Sequence, residues 1–387
     1  MRSLPPFIMT SGRGSFPQVT MVQRKPMIID TILSNIDYPS AIRQDLVKFK
    51  DEIKTQRIKP LTEQTSDRVF WDQALYPWLE KTWYEIPWFF AECYFYRRIL
   101  EIVHYFQPGP WYKRDPFFSM KHHEITQHLP QFLKFYQTST YEKSHVNFQN
   151  YSYSALWGNR GDLSLHFDNP DISNGEEEFI VNHVEEAYAY LEKGRKKIAY
   201  FLDNATMEIF YDLALVDFLL QTNIADTITC YAKDQPYFLS DALPEDVYET
   251  LDLLSTSSSE KVQSLANRLK FAFSTGRLTL KAPPFFTTSA MFRELPASLK
   301  TELKSHDLCI LKGDANYRRL VGDRHWSPTT PLDSVVNYFP TNFLSLRTPK
   351  SEVMVGIPES TYQDLINTAE TDWQTNGKRG MITFWQK

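Results

Sequence analysis

From residue 197 onward, short apolar runs alternate with longer helical stretches, and this alternation restricts the fold more than any other feature. The strand-like runs are 197–202, 227–232, 277–281, 308–311, 343–346 and 381–385. Helical periodicity fills 207–222, 245–254, 260–273 and 295–305. Strands spaced by helices predict βαβ units and a mostly parallel sheet. Right-handed crossovers then set the strand C-termini along one edge, where open α/β sheets bind ligands.

Several of these runs end in polar residues suited to one chemistry. Tyr200-Phe201-Leu202 leads into Asp203-Asn204, and a helix follows at once. A carboxylate and an amide oxygen suit a hard divalent cation such as Mg²⁺ or Mn²⁺. A helix cap would use the same residue types. Two neighbours favour the cation. Glu208 lies one helical turn beyond Asn204, and Asp241 follows the next strand in Phe238-Leu239-Ser240-Asp241. After the run 308–311 comes Lys312-Gly313-Asp314-Ala315-Asn316-Tyr317-Arg318-Arg319. Its glycine admits a close ligand, and its cations can balance phosphate charge. Arg347-Thr348-Pro349-Lys350 follows the run 343–346, which places a lysine where it can neutralise a phosphoryl group. Trp157-Gly158-Asn159-Arg160-Gly161-Asp162 offers a further polar wall.

The rest of the chain reads as helical. Residues 1–25 look like a loose tail or surface-hugging arm, and 28–57 are helical with a break at Tyr38-Pro39-Ser40. Pro77 and Pro87 divide the aromatic stretch 66–106, because proline ends or kinks helices. Another helix is expected over 118–137, a turn-rich connection over 146–172, and a helix over 176–192. The division is therefore an N-terminal arm (1–25), a helical domain (26–145), a connection with a helix (146–195) and an α/β/α domain (196–387). Glu92 and Arg97 are expected to form a buried or half-buried ion pair within the helical domain.

Composition narrows the function. A chain of 387 residues suggests about two domains. A net charge of −5 argues against a general nucleic-acid or anionic-membrane binder. Cys93, Cys230 and Cys309 are far apart and form no CxxC, which fits a reduced cytoplasmic compartment, and Cys230 and Cys309 lie in strand-like runs as core residues. The most apolar region, 83–100, carries Glu85, Glu92, Arg97 and Arg98 and is unsuited to a membrane span. GxGxxG, GxxxxGK[ST] and GxSxG patterns do not occur.

Taken in order, WFFAECYFYRR (88–98), ALWGNRGDLSL (155–165), FLDNA (201–205), YFLSD (237–241), KGDANYRR (312–319) and LRTPK (346–350) resemble the metal-dependent damage-control phosphatase family. The RTxK subfamily, also described as acidic-residue (protein-glutamate) methyltransferase-like, is the nearest in pattern. The resemblance implies a helical N-terminal domain and an α/β/α Rossmann-like domain. It implies a divalent metal (Mn²⁺, Co²⁺, Ni²⁺ or Mg²⁺) on Asp203, Asn204 and Asp241. Substrate contacts are implied from Gly313, Asp314, Ala315, Asn316, Tyr317 and Lys350, with Glu208 near the ligand. Asn159 and Arg347 complete the candidate substrate-binding set, and Asp203 and Lys350 are the candidate catalytic pair. Asp203 could be a pure ligand or the attacking group. The expected reaction is phosphomonoester hydrolysis of small metabolites, such as fructose 1-phosphate or fructose 6-phosphate. The alternatives are an S-adenosylmethionine-dependent carboxyl methyltransferase and a non-catalytic sugar-phosphate sensor. Oligomeric state is not legible.

Overall fold

The structure, a computed structural model, describes residues 4–158, 179–194 and 196–387. Seven strands form one sheet: β1 (Phe179–Asn182), β2 (Lys196–Phe201), β3 (Ala225–Tyr231), β4 (Leu278–Lys281), β5 (Leu308–Lys312), β6 (Asn342–Arg347) and β7 (Gly380–Trp385). Their order is β1-β7-β6-β5-β2-β3-β4. All pairs are parallel except β6 with β7, so the expected mostly parallel α/β sheet is present. In β2, Tyr200 sits between Cys230 of β3 and Ile310 of β5, which aligns the ends of the three central strands.

The strands are apolar because both faces are covered, as parallel sheets require. Side chains alternate between the faces. Ile198, Tyr200, Leu308 and Ile310 pack on one side with the helix Met207–Gln221. Ala199, Phe201, Cys309 and Leu311 pack on the other with Leu303, Tyr317 and Phe339. The Met207–Gln221 helix is buried from Met207 to Leu220, because the helices Phe118–Thr138 and His145–Trp157 cover its outer side. That explains its lack of a polar face. Cys230 and Cys309 are buried, as expected of core residues, and Cys93 is buried too; none pairs with another.

A separate aromatic core joins the helices Lys25–Asn35, Ser40–Thr55, Arg68–Leu75 and Trp88–Ile102. Pro77 lies in a short 3₁₀ turn and Pro87 precedes the Trp88–Ile102 helix, so both prolines act at helix boundaries.

Three segments differ from expectation. The helix expected over 176–192 is in part strand β1, since Phe179, Val181 and Asn182 pair along β7 and helix begins only at Val184. Residues 176–178 lie outside the described residues. The turn-rich connection expected from 146 is instead helical over His145–Trp157, started by Ser144 Oγ accepting from the Asn147 amide. Its Phe148, Tyr151 and Ala155 are buried in the same core as the Met207–Gln221 helix, so burial overrides its modest local propensity. The N-terminal segment is woven into the body. The Ile8 amide donates to Asp323 O (3.1 Å), and Ile8 O accepts from the Trp88 amide (2.8 Å). Thr10, Thr20, Met21 and Lys25 are buried. Among the described residues, no helix is long and apolar enough to cross a membrane.

Candidate active site

The chain leaves β2 at Phe201, and the next residues are zipped to the loop after β3. Asp203 O accepts from the Ala242 amide (2.8 Å), and the Ala205 amide donates to Ser240 O (2.6 Å). Asn204 and Asp241 form an isolated antiparallel bridge. Two loops distant in sequence thus place Asp203, Asn204 and Asp241 side by side. The second loop is strained: Phe238 and Leu239 have φ of 46° and 72°. Such backbone costs roughly 1–3 kcal/mol per residue and persists only when its surroundings fix it. Tyr237 supplies that anchor, since its hydroxyl donates to Thr288 O (2.9 Å) and accepts from Arg319 Nη2 (2.9 Å).

The side chains form a tight acidic group. Asn204 Nδ2 donates to Asp203 Oδ2 (2.8 Å) and to Glu208 Oε2 (3.1 Å), while Ser240 Oγ donates to Asn204 Oδ1 (2.6 Å). Burial, and then the charges of Glu208 and Asp241, push the Asp203 carboxyl well above its usual range. Lys233 and Lys350 act against that rise. Burial also raises Asp241, opposed first by Lys233, whose Nζ is 3.0 Å from Oδ2. Oδ2 nevertheless lacks an aligned hydrogen-bond donor, so the ammonium neutralises charge without satisfying that oxygen. Among the described residues, no three His, Cys, Asp or Glu converge as a metal cluster. The available donors are two carboxylates and one amide, hard oxygens that fit Mg²⁺ or Mn²⁺ with remaining positions left to water or substrate. A half-turn of the Asn204 amide exchanges its NH₂ for the oxygen such an ion requires.

Gly313 explains why the carboxylate of Asp203 sits where it does. Its φ is +83°, and a Cβ there would lie 2.0 Å from Asp203 Oδ2. Next in the chain, Asp314 accepts from Arg347 Nε (2.7 Å), Ser351 Oγ (3.1 Å) and the Lys350 amide (3.2 Å). The loop after β6 is therefore folded around Asp314. Arg347 is fully buried, stacks on the Tyr317 ring (4.1 Å) and donates to Val353 O and Ser351 O. Lys350 is exposed and faces a cavity of ≈ 380 Å³.

That cavity brings together Asp203, Asn204, Asp241, Asp314, Ala315 and Lys350 from the expected set. An adjoining cavity of ≈ 300 Å³ shares Asn204, Leu239, Ser240 and Lys350 with it. Glu208 touches Asn204 but does not line the main cavity. Gly313 lies against Asp203, outside the lining. Asn316, Tyr317 and Arg347 also lie outside it: Asn316 Nδ2 donates to Lys312 O, and the Tyr317 hydroxyl accepts from the Val355 amide. Asn159 and the rest of the 159–162 wall lie outside the described residues. Two expectations about charge are corrected. Lys312 does not line the cavity; it is buried on Asp212 (2.6 Å), a carboxyl that burial pushes up to about 6. Arg319 is likewise buried, donating to backbone carbonyls such as Thr288 O (2.6 Å). Glu92 and Arg97 do not pair with each other, being five residues apart on one helix and so facing different ways. Arg97 binds Asp67 (2.6 Å) and Glu63 (2.8 Å). Glu92 binds Lys25 (2.9 Å) and Arg318 (2.7 Å).

Sequence reasoning missed one wall entirely. Phe16, Thr20, Arg24, Lys25 and Thr31 line the same cavity as the residues of the sheet edge. The basic pair Arg24-Lys25 was the only local hint.

A sequence model of the damage-control phosphatase ARMT1-like domain matches residues 20–365. The chain is similar to damage-control phosphatase ARMT1 of Bos taurus, at 31% identity over 88% of this chain and 85% of that protein. The Danio rerio protein of that name is 27% identical over 98% and 97%, and the Homo sapiens protein 26% over 99% and 99%. A crystal structure of a DUF89 family protein from Pyrococcus horikoshii aligns with a TM-score of 0.51, covering 96% of this chain and 97% of that one. At 12% identity that likeness speaks for the fold alone. A match running from residue 20 to residue 365 makes this chain a member of the damage-control phosphatase ARMT1-like family, and so a phosphatase.

Proposed function

We propose that the chain hydrolyses phosphomonoesters of small metabolites, sugar phosphates such as fructose 1-phosphate or fructose 6-phosphate foremost, with a divalent metal ion. The observation that carries this reading is the convergence of Asp203, Asn204 and Asp241 on one cavity with the exposed cation Lys350. Mn²⁺, Co²⁺, Ni²⁺ or Mg²⁺ would supply Lewis acidity and a water of lowered pKa. Asp203, Asn204 and Asp241 would hold that ion. Lys350 neutralises charge on the phosphoryl oxygens, in a position fixed by the hydrogen bond from its own amide to Asp314. Asp314 keeps its place through Arg347 and lends an acceptor to a substrate hydroxyl. Asp203 is assigned as a ligand rather than the attacking group, because Gly313 and Asn204 hem in its carboxylate.

The test is phosphate release from a panel of hexose and pentose phosphates, with equilibrium binding of S-adenosylmethionine measured in parallel. Release from one or more sugar phosphates and no S-adenosylmethionine binding supports hydrolysis. Binding of S-adenosylmethionine with no release from any phosphoester would overturn it in favour of methyl transfer.

A further inference from the structure

We propose that Arg24 is a specificity-determining residue that grips the hydroxyl-bearing leaving group of the substrate, a role that rests on the phosphatase reading of the same cavity. The cavity lining has two unlike parts. One carries the acids and Lys350; the other is built by the N-terminal segment and Trp88. Arg24 ends a π-helical turn, Thr20–Arg24, and π-turns occur often at functional sites. Its side chain is exposed, and among the described residues it makes no hydrogen bond or ion pair, in contrast to the other arginine of the cavity, Arg318.

The turn that carries Arg24 is held rigidly against the catalytic edge. Lys25, the next residue, is buried and binds Glu92 (2.9 Å). Glu92 binds Arg318 (2.7 Å), which also binds Asp323 (2.7 Å). Arg318 lies in the helix Gly313–Val321, one turn beyond Asp314. This ladder ties the N-terminal wall to the segment that packs on Asp203, so the turn from which Arg24 projects is fixed relative to the acids. Lys350 already stands at the phosphoryl end. Arg24, a second exposed cation on the lining of the same cavity, is available for the other half of a small ester, where the guanidinium fork donates to hydroxyl oxygens.

Three readouts on Arg24→Ala and Arg24→Lys test this: kcat/KM for hexose phosphates, kcat/KM for phenyl phosphate, and competitive inhibition by inorganic phosphate. Loss of a charged donor should lower kcat/KM for hexose phosphates by about tenfold or more in Arg24→Ala, chiefly through KM, with partial recovery in Arg24→Lys. Phenyl phosphate and inorganic phosphate lack the hydroxyls, so their constants should stay within about twofold. An unchanged constant for hexose phosphates, or an equal loss for inorganic phosphate, overturns the proposal. If wild-type protein releases no phosphate, the phosphatase reading fails, and calorimetric binding of hexose phosphate to wild type and Arg24→Ala decides the role of Arg24. Weaker binding by the variant supports that role; equal binding, or none by either protein, sinks it.

Discussion

Replacing Gly313 with alanine should disable the site through a single methyl group. The new Cβ would lie 2.0 Å from Oδ2, 2.1 Å from Cγ and 2.6 Å from Oδ1 of Asp203. Carbon contacts are comfortable only beyond about 3.5 Å, so the carboxylate must retreat by roughly 1 Å or more. Alanine also has to adopt φ near +83°. Left-handed backbone costs roughly 1–2 kcal/mol and overpacking about 1–3 kcal/mol, so destabilisation of about 2–5 kcal/mol is expected. A displacement of about 1 Å at a reacting centre can cost on the order of 10²-fold in rate. Gly276→Ala is the control, since its φ is +73° but nothing lies within 4 Å of its Cβ. Strain alone should cost that variant roughly 1 kcal/mol. Urea denaturation, calorimetric titration with Mn²⁺ and phosphate release would be run on both. Gly313→Ala with wild-type Mn²⁺ affinity and turnover would refute the packing of Gly313 on a carboxylate that binds metal. Equal impairment in Gly276→Ala would refute the contact in favour of general strain.

Three further outcomes are expected. The raised folded-state pKa of Asp203 means the native protein keeps a proton that the unfolded chain releases, so this group's contribution to stability falls as pH rises from the ordinary Asp range through the elevated value. In metal-free urea denaturation from about pH 4 to about pH 8, Asp203→Asn should therefore gain on wild type as pH rises; a constant or shrinking difference would contradict this. Lys350→Ala should lower kcat on the order of 10²-fold with metal affinity unchanged, and a loss of metal binding by calorimetry would count against a purely phosphoryl role. Lys25→Met removes one partner of a buried ladder and should cost about 3 kcal/mol, the low end for a broken buried pair because Arg318 still faces Glu92; a urea-determined loss under about 1 kcal/mol would show the ladder to be loose.

The sheet was legible because β2, β3, β5, β6 and β7 are compact apolar runs with polar residues at their ends. Strand β1 was not, because Phe179–Asn182 is short and merges into a helix one residue later. The His145–Trp157 helix was hidden by its tyrosines and serines, whose fit is decided by the helix they pack against. At the site, Asp241 could be brought towards Asp203 and Asn204 because it follows the next strand, and β2 and β3 are indeed neighbours in the sheet; the three as one set came only from the family resemblance. Arg347 was legible as a residue that matters, but its position was not: it sits beneath the loop, holding Asp314, and does not line the cavity. The N-terminal wall was out of reach. It is set by pairs such as Lys25 with Glu92 and Arg318 with Glu92, separated by 67 and 226 residues, and no local pattern encodes such contacts.

The most direct measurement is phosphate release by metal-stripped protein to which Mg²⁺, Mn²⁺, Co²⁺ or Ni²⁺ is returned, with Asp203→Asn and Asp241→Asn alongside. A metal-binding site at Asp203, Asn204 and Asp241 predicts release that is absent without metal, returns on its addition, and stays absent in both folded variants. Full turnover without metal, or in either variant, would contradict it.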